Sequence, residues 1–178
     1  MLKFGSGKNR NWGRLTESSD FSHVMTTTGG VVADVGAIRD SLRKREVAMQ
    51  QLVTVCLIGI AGALGAVARY GTTAAMKYFL GDGFPAGTLV VNVLGCFFLG
   101  FLAQLGEQQL SGQVKLMLSA GFLGALTTFS TFGVETVNKF YEGQLFIAFL
   151  NIGLNLFLGL AAVYGGMAMF RSFQNIAS

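Results

Sequence analysis

The sequence predicts an all-α membrane protein with four transmembrane helices, and three observations carry that prediction. Apolar residues make up 52% of the 178 residues and charged residues only 12%, about half the roughly 25% charged share of soluble domains. The apolar residues are gathered into four long runs. None of the runs alternates with the two-residue period of a membrane β-barrel. So much apolar material also excludes a disordered chain.

The four apolar segments follow one another with short polar links between them. They cover about residues 52–70, 84–105, 114–137 and 145–170. Each is close to or longer than the roughly 20 residues that an α-helix needs to cross the hydrocarbon core. Because the three links are short, we expect the helices to run up and down through the bilayer, with both termini on one side.

A polar leader precedes the first apolar segment. Residues 1–48 hold eight of the thirteen Lys and Arg residues and show no sustained apolar period. We expect this extension to be disordered or not native to the protein, with a genuine cytosolic tail as the alternative. Residues 49–178 are then the four-helix domain.

The links of this domain carry balanced positive charge. Lys115 and Arg171 belong to the side of the termini, and Lys77 and Lys139 to the opposite side, with Arg69 near that end of the first segment. Orientation in a membrane follows an imbalance of Lys and Arg between the two sides. We therefore expect the domain to insert in both orientations. The net charge of +4 belongs mostly to the leader and says little about nucleic acid, and we expect no nucleic-acid partner.

Polar side chains lie inside the apolar segments, where they are costly and commonly functional. The first segment has Arg69 near its end, the second Asn92 at its middle, and the fourth Asn151 and Asn155 on one helix face. Each also has an ordinary interpretation. An asparagine can link two helices, a hydroxyl can bond back to its own helix, and an arginine can reach the interface.

The third segment predicts a broken helix. It packs four hydroxyl side chains around Phe129, close to Gly121 and Gly124; they are Thr127, Thr128, Ser130 and Thr131. Such a run favours a break in mid-membrane, which frees backbone carbonyls and is tolerated only inside protein or beside a cavity. Carbonyl oxygens are ligands for a small hard cation such as Na⁺.

Two phenylalanines in the same segment point to an anion. Phe129 and Phe132 share a helix face, and the positive edge of an aromatic ring can meet an anion weakly. The amide of Asn92 and the hydroxyls of Ser130 and Thr131 add hydrogen-bond donors. No Lys or Arg lies in mid-segment to trap the ion, as a conducting path requires.

Three segments, GALGAVARY, GTLVVNVLGCFFLG and GFLGALTTFSTFGVE, resemble the signatures of the CrcB/Fluc fluoride channels. The resemblance covers about residues 52–172. It implies an antiparallel, dual-topology homodimer in the cell inner membrane, with two fluoride pores and a structural Na⁺ at the two-fold axis. It also implies passive efflux of cytoplasmic fluoride and hence fluoride resistance. The sequence shows no ATP-binding motif and no nucleophile–base pair, so we expect no enzymatic activity.

The resemblance implies a role for each matching position. Gly124 and Thr127 would bind Na⁺ through backbone carbonyls. Asn151 and Asn155 stand where the family has Tyr and Ser. Eight side chains are thereby expected along the fluoride path: Asn92, Phe129, Ser130, Thr131, Phe132, Asn151, Asn155 and, at its vestibule, Arg69.

Two other functions fit four short membrane helices. A small proton-coupled cation or drug exporter needs a carboxylate deep in the first span, and residues 52–70 contain no Asp or Glu. A non-transporting scaffold would need neither Asn92 nor the polar run at 127–131.

Overall fold

The computed structural model describes residues 20–105 and 109–177, and throughout these ranges the regular structure is helical. Contacts divide the chain into two units, Met1–Met49 and Gln50–Ser178. The helices, with one π-helical segment between α3 and α4, are α1 (Asp20–Leu80), α2 (Ala86–Gln104), α3 (Gly112–Leu116), the π-helical Met117–Leu123, α4 (Gly124–Leu126), α5 (Phe129–Tyr141) and α6 (Leu145–Ala177).

Four stretches of the described chain are long and apolar enough to cross a membrane. They are Val35–Leu80, Ala86–Gln104, Gly112–Tyr141 and Leu145–Ile176. Each contains or closely matches one of the four apolar runs, so the prediction of an all-α protein with four candidate spans is confirmed. Glycines of positive φ, Gly81 at 72° and Gly143 at 74°, make the turns after α1 and α5, a conformation that glycine adopts without steric cost.

The structure describes part of the leader, and its predicted disorder or foreign origin stays a prediction. Residues 20–48 are helical and continue into the first apolar stretch as part of α1, whereas residues 1–19 lie outside the described residues. Val35, Ile38 and Leu42 recur at helical spacing, and extending an existing helix avoids the cost of a new nucleus. Whether the extension is native stays a prediction.

The third apolar stretch changes its backbone geometry several times. A π-helical segment separates α3 from α4, and only then does α5 begin. Between α4 and α5 the backbone is extended, with ψ 154° at Thr127 and φ −152° at Thr128. These two residues belong to the hydroxyl-rich run at 127–131.

Glycines bring the helices of the second unit unusually close together. A side chain at Gly100 would overlap the backbone of Val163, and one at Gly166 the backbone of Phe97, so α2 and α6 touch at their backbones. A side chain at Gly121 would come within 2.9 Å of the Ile58 carbonyl. Small residues permit such backbone approach between membrane helices, and the α2–α6 contact sets Asn92 opposite the asparagines of α6.

Candidate functional site

A cavity of about 530 Å³ lies between α2, α6 and the third stretch. Most of its lining is apolar, and polar groups gather at the extended residues between α4 and α5. Six residues predicted for the site border it: Asn92, Gly124, Thr127, Phe129, Phe132 and Asn155. Ser130, Thr131, Asn151 and Arg69 are not among the lining residues.

Asn92 of α2 holds the extended backbone between α4 and α5. Its Oδ1 accepts the Thr128 backbone N–H at 2.9 Å, and its Nδ2 donates to the Thr128 carbonyl at 3.2 Å. The second Nδ2 hydrogen goes to Asn155 Oδ1 on α6 at 3.0 Å. The carboxamide therefore takes over the hydrogen bonds that a continuous helix would give Thr128, and both its N–H groups are occupied.

Two backbone carbonyls lose their usual helical partners at this point. In a continuous α-helix the N–H of Thr128 would bond the Gly124 carbonyl, and the N–H of Thr131 would bond the Thr127 carbonyl. Here the first N–H donates to Asn92 and the second to the Thr128 hydroxyl, at 3.2 Å. The carbonyls of Gly124 and Thr127, the two predicted cation ligands, are thus released from α-helical bonding beside the cavity.

The side chain of Thr128 caps α5 and gathers the neighbouring hydroxyls. Besides accepting the Thr131 N–H, its Oγ1 donates to Thr131 Oγ1 at 3.0 Å and lies 3.3 Å from Ser130 Oγ. Threonine is a favoured cap because its oxygen satisfies an orphan N–H of the first turn. Ser130 and Thr131 are exposed, so their hydroxyls stand on the surface of this turn rather than in the cavity.

The two phenylalanines of α5 form one aromatic pair. The ring centroids of Phe129 and Phe132 lie 5.5 Å apart with an interplanar angle of 51°. Phe132 is half-buried, whereas Phe129 is 84% exposed. Both border the cavity beside Asn92, so two aromatic rings and an amide group adjoin one space.

The asparagines of α6 differ in their surroundings. Asn155 borders the cavity and donates to the carbonyl and the Oδ1 of Asn151, at 3.0 Å and 2.9 Å. Asn151 is fully buried and donates to Thr136 Oγ1 of α5 at 2.9 Å. Its amide is therefore enclosed by protein side chains.

Comparison with known proteins assigns this chain to a protein family. The profile described as "CrcB-like protein, Camphor Resistance (CrcB)" matches residues 56–167, which includes the whole second and third stretches. The chain belongs to this family. With its four apolar helices, this CrcB-like protein is a multi-pass membrane protein.

Curated relatives agree with this assignment. A protein of Dehalococcoides mccartyi strain BAV1 is 53% identical over 114 residues, which cover 63% of this chain and 88% of the relative. One from a Shewanella species is 44% identical over 122 residues, covering 68% and 98%, and one from a Nitratiruptor species is 43% identical over 114 residues, covering 64% and 89%. Each is named "Fluoride-specific ion channel FluC".

Arg69 of the CrcB-like protein stands apart from the cavity. The residue is half-buried in α1, and within the described ranges no ion pair involves it. Its predicted place at a vestibule stays a prediction.

Sequence reasoning missed one pair of side chains. Thr88 Oγ1 of α2 donates to Glu135 Oε1 of α5 at 2.9 Å, while Glu135 Oε2 is buried and has no hydrogen-bond partner within the described residues. Glu135 also borders a second cavity of about 310 Å³, together with Lys77 and Lys139. A carboxylate inside an apolar stretch was the available signal.

Proposed function

We propose that this protein is a fluoride-selective channel through which cytoplasmic fluoride leaves the cell passively. The CrcB-like match and the names of the relatives support it. Fluoride enters as HF, which crosses the bilayer and dissociates inside, so a pore that drains the ion confers resistance. The channel is not an enzyme, and its place is the cell inner membrane.

The observation that carries this proposal is the meeting of an aromatic pair with polar groups at one cavity. Phe129 and Phe132 border the same space as Asn92 and Asn155. Ring edges attract an anion weakly, and the exposed hydroxyls of Ser130 and Thr131 supply donors next to them. Among the residues that the structure describes, the lining of the cavity includes no Lys or Arg, which suits a conducted ion, since the ion must be able to leave its site as well as enter it.

The working unit in this proposal is a homodimer of two antiparallel copies. In the single chain Gly124 and the hydroxyl-bearing Ser130 and Thr131 are exposed, as is most of Phe129. Polar groups and extended backbone do not face lipid in mid-membrane, so a second copy covers them. Thr127 and Thr128 then form a helix break at the middle of the bilayer.

A topology measurement tests the antiparallel arrangement. Balanced Lys and Arg on the two sides of residues 49–178 allow both orientations. A C-terminal tag on this domain is expected to be reached from both faces of the membrane. Labelling from one face only, with full fluoride flux, would contradict the antiparallel dimer.

The carbonyls of Gly124 and Thr127 are the proposed ligands for a structural Na⁺. Their N–H partners in a continuous helix donate to Asn92 and to the Thr128 hydroxyl instead, which fits neutral oxygen ligands offered by two copies around a two-fold axis. A bound Na⁺ would supply positive charge that offsets the cost of bringing fluoride into a low-dielectric region.

Fluoride efflux from liposomes tests the function. Purified protein is reconstituted into vesicles loaded with potassium fluoride, and a fluoride electrode follows release. A channel moves charge, so release is expected to be fast only when a K⁺ ionophore carries the compensating current. Protein-free vesicles with the ionophore are the control, and release no faster than theirs would refute the proposal.

The same liposome assay distinguishes the proposed channel from the alternative function, a proton-coupled cation or drug exporter. That mechanism needs a proton gradient and a carboxylate in the first span. Residues 52–70 have none, and the carboxylate of Glu135 lies in the third stretch, bonded to Thr88. Cation uptake driven by a proton gradient, without fluoride release, would favour the exporter.

A further inference from the structure

A chain of side-chain hydrogen bonds leaves α5, crosses α2 and α6, and returns to α5. Thr128 caps α5 and Thr136 lies about two helical turns further on. Between them stand three carboxamides, those of Asn92, Asn155 and Asn151, joined at 3.0 Å and 2.9 Å. The chain therefore closes on the helix where it starts and ties α5 to both of its neighbours.

Backbone groups set the direction of this chain at its first steps. The N–H of Thr128 can only donate, so Asn92 must turn its oxygen toward it and its hydrogens toward Asn155. The carbonyl of Asn151 can only accept, so Asn155 must turn its hydrogens toward Asn151. A flipped carboxamide at either position would set donor against donor.

Thr136 completes the chain as an acceptor. Its hydroxyl hydrogen goes to the Phe132 carbonyl at 2.8 Å, which leaves the oxygen to accept the amide of Asn151 at 2.9 Å. Thr136 is 5% exposed and Asn151 0% exposed. A buried amide hydrogen is costly to leave unpaired, so Asn151 depends on this one oxygen.

We propose that Thr136 and Asn151 are positioning residues of the fluoride path, an inference that rests on the function proposed above. Neither borders the cavity. Thr136 holds Asn151, Asn151 holds Asn155, and Asn155 directs an N–H of Asn92. Asn151 thus acts through its neighbours, instead of meeting the anion as its sequence position had suggested.

This chain of hydrogen bonds positions the aromatic pair Phe129 and Phe132 as well. Phe129 and Phe132 lie on α5 between its two tied points, Thr128 and Thr136. Rotation or sliding of α5 would carry both rings away from the cavity, and the ties to α2 and α6 oppose such movement. Loss of Thr136 releases the far end of this segment while the near end stays bonded to Asn92.

Two substitutions at position 136 separate hydrogen bonding from packing. Thr136→Val keeps the shape of the side chain but removes the acceptor, and Thr136→Ser keeps the hydroxyl but removes the methyl group. In the liposome assay we expect Thr136→Val to lose about tenfold or more in fluoride flux, the scale on which a missing buried hydrogen bond acts. Thr136→Ser is expected to restore flux near the wild-type value.

Thr54 offers a matched control elsewhere in the chain. Its hydroxyl bonds back to the Gln50 carbonyl at 2.8 Å and accepts an amide hydrogen of Gln113 at 2.9 Å. The geometry equals that of Thr136, but these bonds are exposed and distant in sequence from the cavity lining. Thr54→Val is therefore expected to leave flux unchanged.

The outcomes separate this inference from the proposed function. Wild-type vesicles without flux would refute the fluoride function itself. Wild-type flux in Thr136→Val, or an impaired Thr136→Ser beside a normal Thr136→Val, would overturn the positioning role.

If Thr136→Val does not fold, a second variant tests the same inference. Asn151→Leu then cuts the same chain one bond earlier, and folded protein with wild-type flux would overturn the inference. When both single variants fold, Thr136→Val with Asn151→Leu is expected to lose no more flux than either alone, because one chain is cut twice. Additive losses would count against it.

Discussion

The third and fourth membrane stretches both carry polar side chains among apolar ones, and their backbones respond in opposite ways. α6 runs unbroken from Leu145 to Ala177 although it contains Asn151 and Asn155. The third stretch is π-helical at Met117–Leu123 and extended at Thr127 and Thr128.

The difference lies in what each side chain bonds. The asparagines of α6 bond each other and a hydroxyl of α5, and the helix keeps its own backbone hydrogen bonds. In the third stretch, by contrast, the Asn92 and Thr128 side chains accept backbone N–H groups that a helix would use internally. In these two stretches the backbone is extended where side chains accept backbone N–H groups, and it stays helical where side chains donate to a carbonyl or bond another side chain.

We expect the largest loss of fluoride flux from a substitution that disturbs the third stretch and leaves α6 unchanged. A side chain at Gly95 of α2 would overlap the methyl group of Thr127. Gly95→Ala must therefore displace either that side chain, whose hydroxyl bonds the Leu123 carbonyl at 3.0 Å, or the extended backbone that carries it. Overpacking of this kind costs about 1–3 kcal/mol, which corresponds to about fivefold to a hundredfold in rate, and we expect fluoride flux to fall toward the upper end of that range. Gly153→Ala on α6 is the control, because a Cβ there meets nothing within 4 Å. Normal flux in Gly95→Ala would contradict the need for this close approach.

The next effect concerns the rings of the third stretch. Phe129→Ile and Phe132→Ile keep apolar bulk and remove the positive ring edge, so we expect flux to fall by about tenfold or more, on the scale of one lost electrostatic contact. Protein yield and elution volume should stay nearly normal. Phe157→Ile on α6, 70% exposed, is the matched control and should conduct normally. Unchanged flux in both α5 variants would identify the rings as ordinary packing.

A smaller effect is expected from the cation that the released carbonyls would hold. Replacing Na⁺ on both sides by a large organic cation is expected to slow fluoride release several-fold, since about 1 kcal/mol corresponds to a fivefold change. Gly124→Val should impair flux even with Na⁺ present, because a β-branched residue restricts its own conformation and would distort the backbone that leads into the extended Thr127 and Thr128. Undiminished flux after exhaustive Na⁺ removal, with a normal Gly124→Val, would exclude a working cation site.

The smallest effect is expected at Thr127 itself. Since its backbone carbonyl is the proposed ligand and its hydroxyl bonds back to the Leu123 carbonyl at 3.0 Å, Thr127→Ser keeps both groups. Flux is expected to stay within about twofold of wild type, below the effect of one lost hydrogen bond. A severe loss would show that the methyl group, which faces Gly95, positions this backbone.

Particular residues show where sequence reasoning reached its limit. Asn92 and the phenylalanine pair were predicted to share one site, and they border the same cavity, while their role toward fluoride stays a prediction. Asn151 was predicted to line the path but does not border the cavity, since its burial depends on how α6 packs against α5. Thr136 and the Thr88–Glu135 pair were missed, because their partners come from other helices and no local spacing reveals them.

Local features of the amino-acid sequence are enough to assign the class of this protein. Four apolar runs of sufficient length, scarce charge and the hydroxyl run at 127–131 identify a four-helix membrane protein of this family, because hydrophobicity and motif order are local properties. Only the packing of the helices against one another shows which backbone groups are released and which asparagines border the cavity. Those outcomes depend on contacts between helices, where glycines such as Gly95 and Gly100 set the distances and Asn92 finds its partners.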